Sequence, residues 1–229
     1  MLKTKGLMAA VATVASAATL AATPVMAGNY GGDFMIRAGV TVVHPDASGE
    51  VSAAGVPIAG SDADVSTEVI PSATLTYFFT RNIAAELFCC FAKHQAEAEG
   101  SIAALGEVAD FWIFPPAVTL QYHFDNMGGF KPYVGAGVQY IHFFNEKSNY
   151  GSVEIDDAFG FTLQAGVDVE IGGGWYLNAD VKKTWIDTEV NWTTAGLQAD
   201  VDVDPWIFTV GLGYRFDLFG PRLAAAPMK

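Results

Sequence analysis

The chain has 229 residues, with 12 Lys and Arg against 25 Asp and Glu for a formal net charge of −13; that length suits one domain, and the acidic balance excludes nucleic-acid binding, which needs clustered cations to displace phosphate counterions. Beyond the first 27 residues there is no run of about 18 apolar residues, so no helix can cross a bilayer. A place in a membrane would require a closed barrel, the other architecture that satisfies every backbone N–H and C=O inside hydrocarbon.

The first segment reads as an export signal. Lys3 and Lys5 supply a positive start, Leu7 to Ala22 an apolar stretch, and Val25-Met26-Ala27 small residues for cleavage after Ala27. This predicts a signal peptide over 1–27, one domain over 28–216 and a tail over 217–229.

Period-two alternation then recurs along the chain, and it predicts eight strands: Asp33 to His44, Val69 to Phe79, Ile83 to His94, Phe111 to Phe124, Tyr133 to Phe144, Phe159 to Ile171, Trp175 to Ile186, and Trp206 to Phe216. Between Phe159 and Ile171 every odd position is apolar, while the even positions are Gly160, Thr162, Gln164, Gly166, Asp168 and Glu170. Connections alternate between short turns, such as Thr80-Arg81-Asn82 and Gly172-Gly173-Gly174, and long ones, such as Pro45 to Glu68 and Asp187 to Pro205. That is the outer-membrane pattern, with the long connections facing out. Gly and acidic residues concentrate in the long connections, which predicts solvated, mobile loops there. The fold class expected is all-β, an eight-stranded antiparallel transmembrane β-barrel.

A soluble barrel would show the same alternation with its apolar face inside. Aromatics at the strand ends favour the membrane: Phe79, Phe124, Trp175, Tyr214 and Phe216 near the short turns, with Phe111 or Trp112, Phe144 and Trp206 near the long connections, form two expected interfacial girdles.

Several stretches carry a family likeness. Pro115-Pro116 leads into Thr119-Leu120-Gln121-Tyr122-His123-Phe124, and Lys131-Pro132-Tyr133-Val134-Gly135-Ala136-Gly137-Val138 follows. Then come Trp175-Tyr176-Leu177-Asn178-Ala179-Asp180-Val181, Ile186-Asp187-Thr188, and Asp202-Val203-Asp204-Pro205-Trp206 through Gly213-Tyr214-Arg215-Phe216. In these motifs and their order the chain resembles the outer membrane protein W family. The resemblance implies a bacterial outer-membrane barrel that passes small hydrophobic molecules through the lipopolysaccharide layer, with lateral release into the bilayer. It also implies recognition by the outer-membrane assembly machinery. Family chains end at the aromatic of the last strand, whereas 13 residues follow Phe216 here. A monomer is expected, in contact with outer-membrane lipid and lipopolysaccharide.

With the polar faces inward, Arg37, Glu86, Gln121, His123, Asp168, Glu170, Asn178, Asp180 and Arg215 fall near the short turns and predict a polar plug, because buried charges persist only when paired. Toward the long connections the same parity turns Val43, Ile70, Ile113, Ile141, Phe143 and Ile207 inward as a candidate hydrophobic pocket, or simply as rim residues packed against loops. Lys182, inward at mid to upper height, argues against a uniformly apolar bore. Pro115-Pro116 could mark a bulge that shifts parity. A structural or adhesive barrel that carries loops on a filled interior is the alternative function.

No phosphate-binding glycine loop, nucleophile elbow or zinc motif is present, so no cofactor, metal or catalytic residue is expected. His44, His94, His123 and His142 are scattered over four strands, and adjacent Cys89 and Cys90 point to opposite faces, as small apolar fillers do. Asn191-Trp192-Thr193 fits a glycosylation sequon by chance.

Overall fold

The computed structural model describes residues 32–124 and 127–217; the expected export signal and the tail after Asp217 lie outside the described residues. In chain order the strands are β1 (Asp33–His44), β2 (Ser48–Ala53), β3 (Val56–Pro57), β4 (Ser61–Val65), β5 (Glu68–Phe78), β6 (Ile83–Cys90), β7 (Ala92–Gly100), β8 (Glu107–Phe114), β9 (Ala117–His123), β10 (Phe130–Lys147), β11 (Val153–Ile155), β12 (Ala158–Gly172), β13 (Trp175–Trp185), β14 (Asp187–Trp192), β15 (Leu197–Asp202) and β16 (Trp206–Asp217). Eight of them close a barrel in the order β1-β5-β6-β9-β10-β12-β13-β16, every neighbour antiparallel, with β16 paired back onto β1 from Asp33↔Asp217 to His44↔Trp206.

The alternation fixes which way each side chain points, and the outcome is the reverse of a soluble core. Across the middle of the barrel many large apolar residues face outward, with Val210 63% and Leu120 59% exposed, while Thr41, Thr76, Thr162 and Thr184 face inward at 0%. An outer surface of this kind is stable in lipid and not in water. Aromatics form two belts on it. Near the short turns, ring contacts run from Phe79 through Tyr77, Phe34, Phe216 and Tyr214 to Trp175, with Tyr122 and Phe124 paired beside them. Near the long connections stand the pairs Phe91–Phe114, Trp112–Phe144, Tyr140–Phe159, Phe161–Trp185 and Trp206–Phe208. From Trp206 to Phe216 the strand runs about 34 Å at ~3.4 Å per residue, or about 26 Å across a membrane at a tilt near 40°, which matches the apolar band of such barrels.

Contrary to the expectation of mobile loops, the long connections are folded. β2, β3, β11, β14 and β15 form a sheet of order β11-β14-β15-β2-β3, while β4, β7 and β8 continue the wall beside β10. Side-chain bonds join the two parts: Asp62 Oδ1 accepts from Gly49 N at 3.0 Å and Ser61 Oγ from Val51 N at 2.9 Å. The barrel thereby extends outward as a sleeve. Acidic residues at alternate positions point to water, and Val51, Val65, Val190, Ala199 and Val201 point in and are buried.

The two prolines keep parity, since Phe111, Ile113, Ala117 and Thr119 are all inward and buried on either side of them. They interrupt the ladder instead. β6 pairs with β9 up to Phe88↔Ala117, and pairing resumes on β7 and β8 at Ala92↔Ile113. Residues 89–91 face residues 114–116 without ladder bonds, as expected where proline has no N–H. On its other side Pro116 stays attached, its carbonyl accepting from Tyr140 N at 2.9 Å.

Candidate functional site: a layered barrel interior

The interior has two layers. In the half nearer the short turns, Arg37 on β1 donates to both oxygens of Asp168 on β12, from Nε at 3.0 Å and Nη2 at 2.6 Å, and from Nη1 to Glu86 Oε2 at 3.0 Å and Thr76 Oγ1 at 2.6 Å. Glu86 is shared: its Oε1 lies 3.1 Å from Lys182 Nζ and accepts from Gln164 Nε2 at 2.9 Å. Lys182 also reaches Asp180 at 2.6 Å, and Asp180 Oδ2 accepts from Gln164 at 2.8 Å and from the Tyr133 hydroxyl at 2.8 Å. Gln164 Oε1 in turn accepts from Thr119 and Gln121, and Gln121 Oε1 bonds His123 Nε2 at 2.9 Å. Asn178 ties Tyr133 to Asp168 at 3.0 and 2.9 Å.

Space for these long side chains comes from glycines on facing strands. A Cβ on Gly166, paired with Tyr133 across β10 and β12, would lie 2.4 Å from the Tyr133 hydroxyl, and one on Gly213 would lie 3.1 Å from Arg37 Cγ. The ring and the guanidinium occupy the room those side chains would take. The void left beside Arg37, Glu86 and Lys182 is about 10 Å³, roughly one water's worth.

Nearer the turns, Arg215 Nε donates to Asp33 Oδ2 at 2.9 Å and its guanidinium lies 3.8 Å over the Phe78 ring. Glu170 departs from the expected placement. It is exposed at the rim, 3.3 Å from Lys131 Nζ, because β12 is leaving the barrel there for the Gly173-Gly174 turn. Tyr133, Gln164, Thr76 and Thr119 belong to the network although sequence reasoning did not name them as site residues. Their inward parity was the available signal.

Above this layer the chemistry changes. Val43, Ile113, Ile141, Phe143 and Ile207 line a cavity of about 100 Å³, and Ile70 is buried in the same apolar cluster without lining it. The sleeve supplies the rest of the wall, including Val51, Val190, Trp192 and Val201, none of them expected from sequence. At the mouth the Tyr150 hydroxyl donates to the Leu105 carbonyl at 2.7 Å, both residues being exposed cavity-lining groups. Phe88, Cys90 and Pro115, beside the interrupted ladder, form part of its floor and side.

Of the expected girdle, Phe79, Phe124, Trp175 and Trp206 are exposed on the outer surface, and Tyr214 and Phe216 half-buried within the ring contacts of the belt. Phe111 is inward and Trp112 is the outward member of that pair. His142 lies outside, its Nδ1 2.9 Å from Asp157, whose carboxylate also accepts from the Tyr140 hydroxyl. The Tyr140 bond, then the His142 and Phe143 bonds, hold the Asp157 carboxyl below the usual value.

The model of the OmpW family matches residues 30–216. An uncharacterized outer-membrane protein of Sinorhizobium fredii is 36% identical over 88% of this chain and 90% of its own length. Among solved structures, the outer membrane protein OprG from Pseudomonas aeruginosa superposes with a TM-score of 0.76 at 32% identity, covering 82% of this chain and 98% of that one. The outer membrane protein AlkL in lipid bilayers gives 0.68 at 27%, covering 86% and 96%. With an outward apolar wall, two aromatic belts and these likenesses along nearly its whole described length, the chain belongs to the OmpW family of outer-membrane β-barrel proteins.

Proposed function

We propose that this barrel takes small hydrophobic molecules from the extracellular side into the apolar cavity and releases them sideways into the bilayer. The observation that carries this reading is the stacking of the two layers: an apolar cavity of about 100 Å³ sits directly above a bonded ionic network whose own void is about 10 Å³. An apolar solute gains by entering the first and would have to break buried ion pairs to cross the second. The cheaper exit is the stretch of wall between residues 89–91 and 114–116, where no ladder bonds must be broken and where the cavity-lining Cys90 and Pro115 lie. Tyr150 and Leu105 serve as a latch at the mouth. The protein acts as a monomer with lipid and lipopolysaccharide around its belts, catalyses no reaction, and is assembled through the aromatic end of β16 at Phe216. A barrel filled throughout, merely presenting loops, would not need such a cavity.

The test is uptake into vesicles containing the protein, using a hydrophobic and a hydrophilic solute of similar size. Wild type should admit the hydrophobic one selectively, and Ile141→Asn or Phe143→Asn should reduce that uptake. Equal uptake of both solutes, or unchanged uptake in folded variants, refutes the reading.

A further inference from the structure

The cavity wall is apolar, and nearly all of its polar groups are already committed. Gln139 donates to the Pro115 carbonyl at 3.2 Å and accepts from Thr184 at 2.6 Å. Thr188 donates to the Asp156 carbonyl at 2.7 Å, and Tyr150 to that of Leu105 at 2.7 Å. Trp192 Nε1 is 3.2 Å from Ser148 Oγ. Asp62, exposed at the edge, accepts from the Gly49 and Ala63 amides.

His94 is different. It lines the cavity, is 2% exposed, and stacks on Phe111 with ring centroids 6.2 Å apart. Its Nδ1 lies 2.8 Å from the Ser66 carbonyl oxygen. A carbonyl can only accept, so Nδ1 carries the hydrogen, and in the neutral ring Nε2 is a bare acceptor. Nε2 makes no hydrogen bond to the described residues. Among the described residues Thr74 Oγ1 is the wholly enclosed side-chain atom without a partner, so Nε2 keeps some accessible surface, and a ligand that donates to it gains a hydrogen bond.

We propose that the cavity prefers small apolar molecules carrying one hydrogen-bond donor, such as a phenol or an alcohol, with the His94 Nε2 atom as the acceptor. This rests on the transport reading above and narrows its solute class. Ser66 fixes the tautomer, Phe111 fixes the ring plane, and the surrounding aliphatic side chains take the apolar body. A hydrocarbon of the same shape fills the cavity equally well but leaves Nε2 bare. Since a net hydrogen bond contributes about 0.5–1.5 kcal/mol and 1.4 kcal/mol is tenfold, the donor should bind roughly two- to tenfold tighter.

The experiment compares p-cresol with p-xylene, which differ by a hydroxyl in place of a methyl, on full-length protein in lipid nanodiscs with 15N-labelled histidine. Affinities are corrected for partition into protein-free nanodiscs. His94 is assigned by the loss of its signals in His94→Gln. The expected result is an Nδ1–H tautomer, an Nε2 resonance that p-cresol shifts and p-xylene does not, and tighter binding of p-cresol. In His94→Phe the preference should vanish while p-xylene still binds. Equal affinities with Nε2 unmoved, or an Nε2–H tautomer, overturn the role of His94 yet leave the transport reading intact. Binding of neither compound removes both. Because the two ligands are compared on wild type, the inference stays testable even if the variants do not fold.

Discussion

Replacing Arg37 by Ala tests whether the lower interior behaves as one bonded unit. Arg37 makes four hydrogen bonds of 2.6–3.0 Å, two to Asp168 and one each to Glu86 and Thr76. Without it Asp168 keeps Asn178 Nδ2 at 2.9 Å and loses its cation. Glu86 keeps Lys182 at 3.1 Å. Removing one partner of a buried pair leaves an uncompensated charge, at a cost of about 3–5 kcal/mol. Glu86→Gln should behave otherwise. The network holds three carboxylates, Glu86, Asp168 and Asp180, against two cations, Arg37 and Lys182. Neutralising Glu86 leaves the pairs Arg37–Asp168 and Lys182–Asp180 in charge balance, so the loss should be that of weakened hydrogen bonds, about 1–2 kcal/mol. Urea titration in phospholipid vesicles, followed by Trp fluorescence and by the mobility difference between folded and unfolded forms, measures both. A cost below about 1 kcal/mol for Arg37→Ala, or a larger cost for Glu86→Gln than for Arg37→Ala, would refute the reasoning.

Gly166→Ala places a Cβ 2.4 Å from Cζ and the hydroxyl of Tyr133; it should cost about 1–3 kcal/mol by overpacking in the same titration, and a variant as stable as wild type would show that the ring has room. Tyr150→Phe deletes the bond to Leu105 and should speed hydrophobic uptake in vesicles while stability changes by less than about 0.5 kcal/mol; an unchanged rate removes the latch. Asp202 faces Asp187 across β14 and β15, and the hydrogen bond that its protonated carboxyl donates to that neighbour pushes its pKa above the usual value. A raised carboxyl pKa means the contact contributes fully below the ordinary carboxyl value and is lost as pH rises through the raised one. The β14–β15 hairpin should therefore be better protected below the ordinary carboxyl range than at neutral pH. Amide exchange of Thr188 and Val201, corrected for intrinsic rates, should show this in wild type and lose it in Asp202→Asn.

The barrel was legible because lipid outside and bonded groups inside impose a period of two on every long strand. The expected strand Asp33 to His44 agrees with β1 at both ends, and the segment beginning at Trp206 with β16 to within one residue. Parity and height along a strand also placed Arg37, Asp168 and Asp180 indoors together. What they could not give is position around the barrel: Arg37 and Asp168 are 131 residues apart, and no local pattern says which carboxylate an inward guanidinium will meet. The sleeve was missed for a different reason. Its Gly and acidic content looks like solvated loop, yet Asp62-Ala63-Asp64-Val65 and Asp200-Val201-Asp202 alternate as the barrel strands do, with the charged face in water instead of the apolar face in lipid. Runs of four to six residues carry that period too briefly to separate from chance by pattern alone.

Side-chain size explains why one half of the same barrel is filled and the other hollow. Strand number sets the diameter of a small barrel, so the free volume inside depends on what projects into it. In the lower half, Arg37, Glu86, Tyr133 and Lys182 are long and polar, and each oxygen or nitrogen brought indoors needs a partner. Facing glycines let them interdigitate until about 10 Å³ remains. In the upper half the sleeve contributes Ala98, Ala109 and Ala199, all buried and lining the cavity. Short side chains cannot reach the axis, and apolar ones have no partner to reach for. The transition falls at Gln139 and Thr184, whose mutual bond at 2.6 Å lies between the ion pairs and the cavity floor. Charge and chain length thus change together at one level of the barrel, so the layer that resists ions is also the layer without space, and the layer with space is the one that favours apolar solutes.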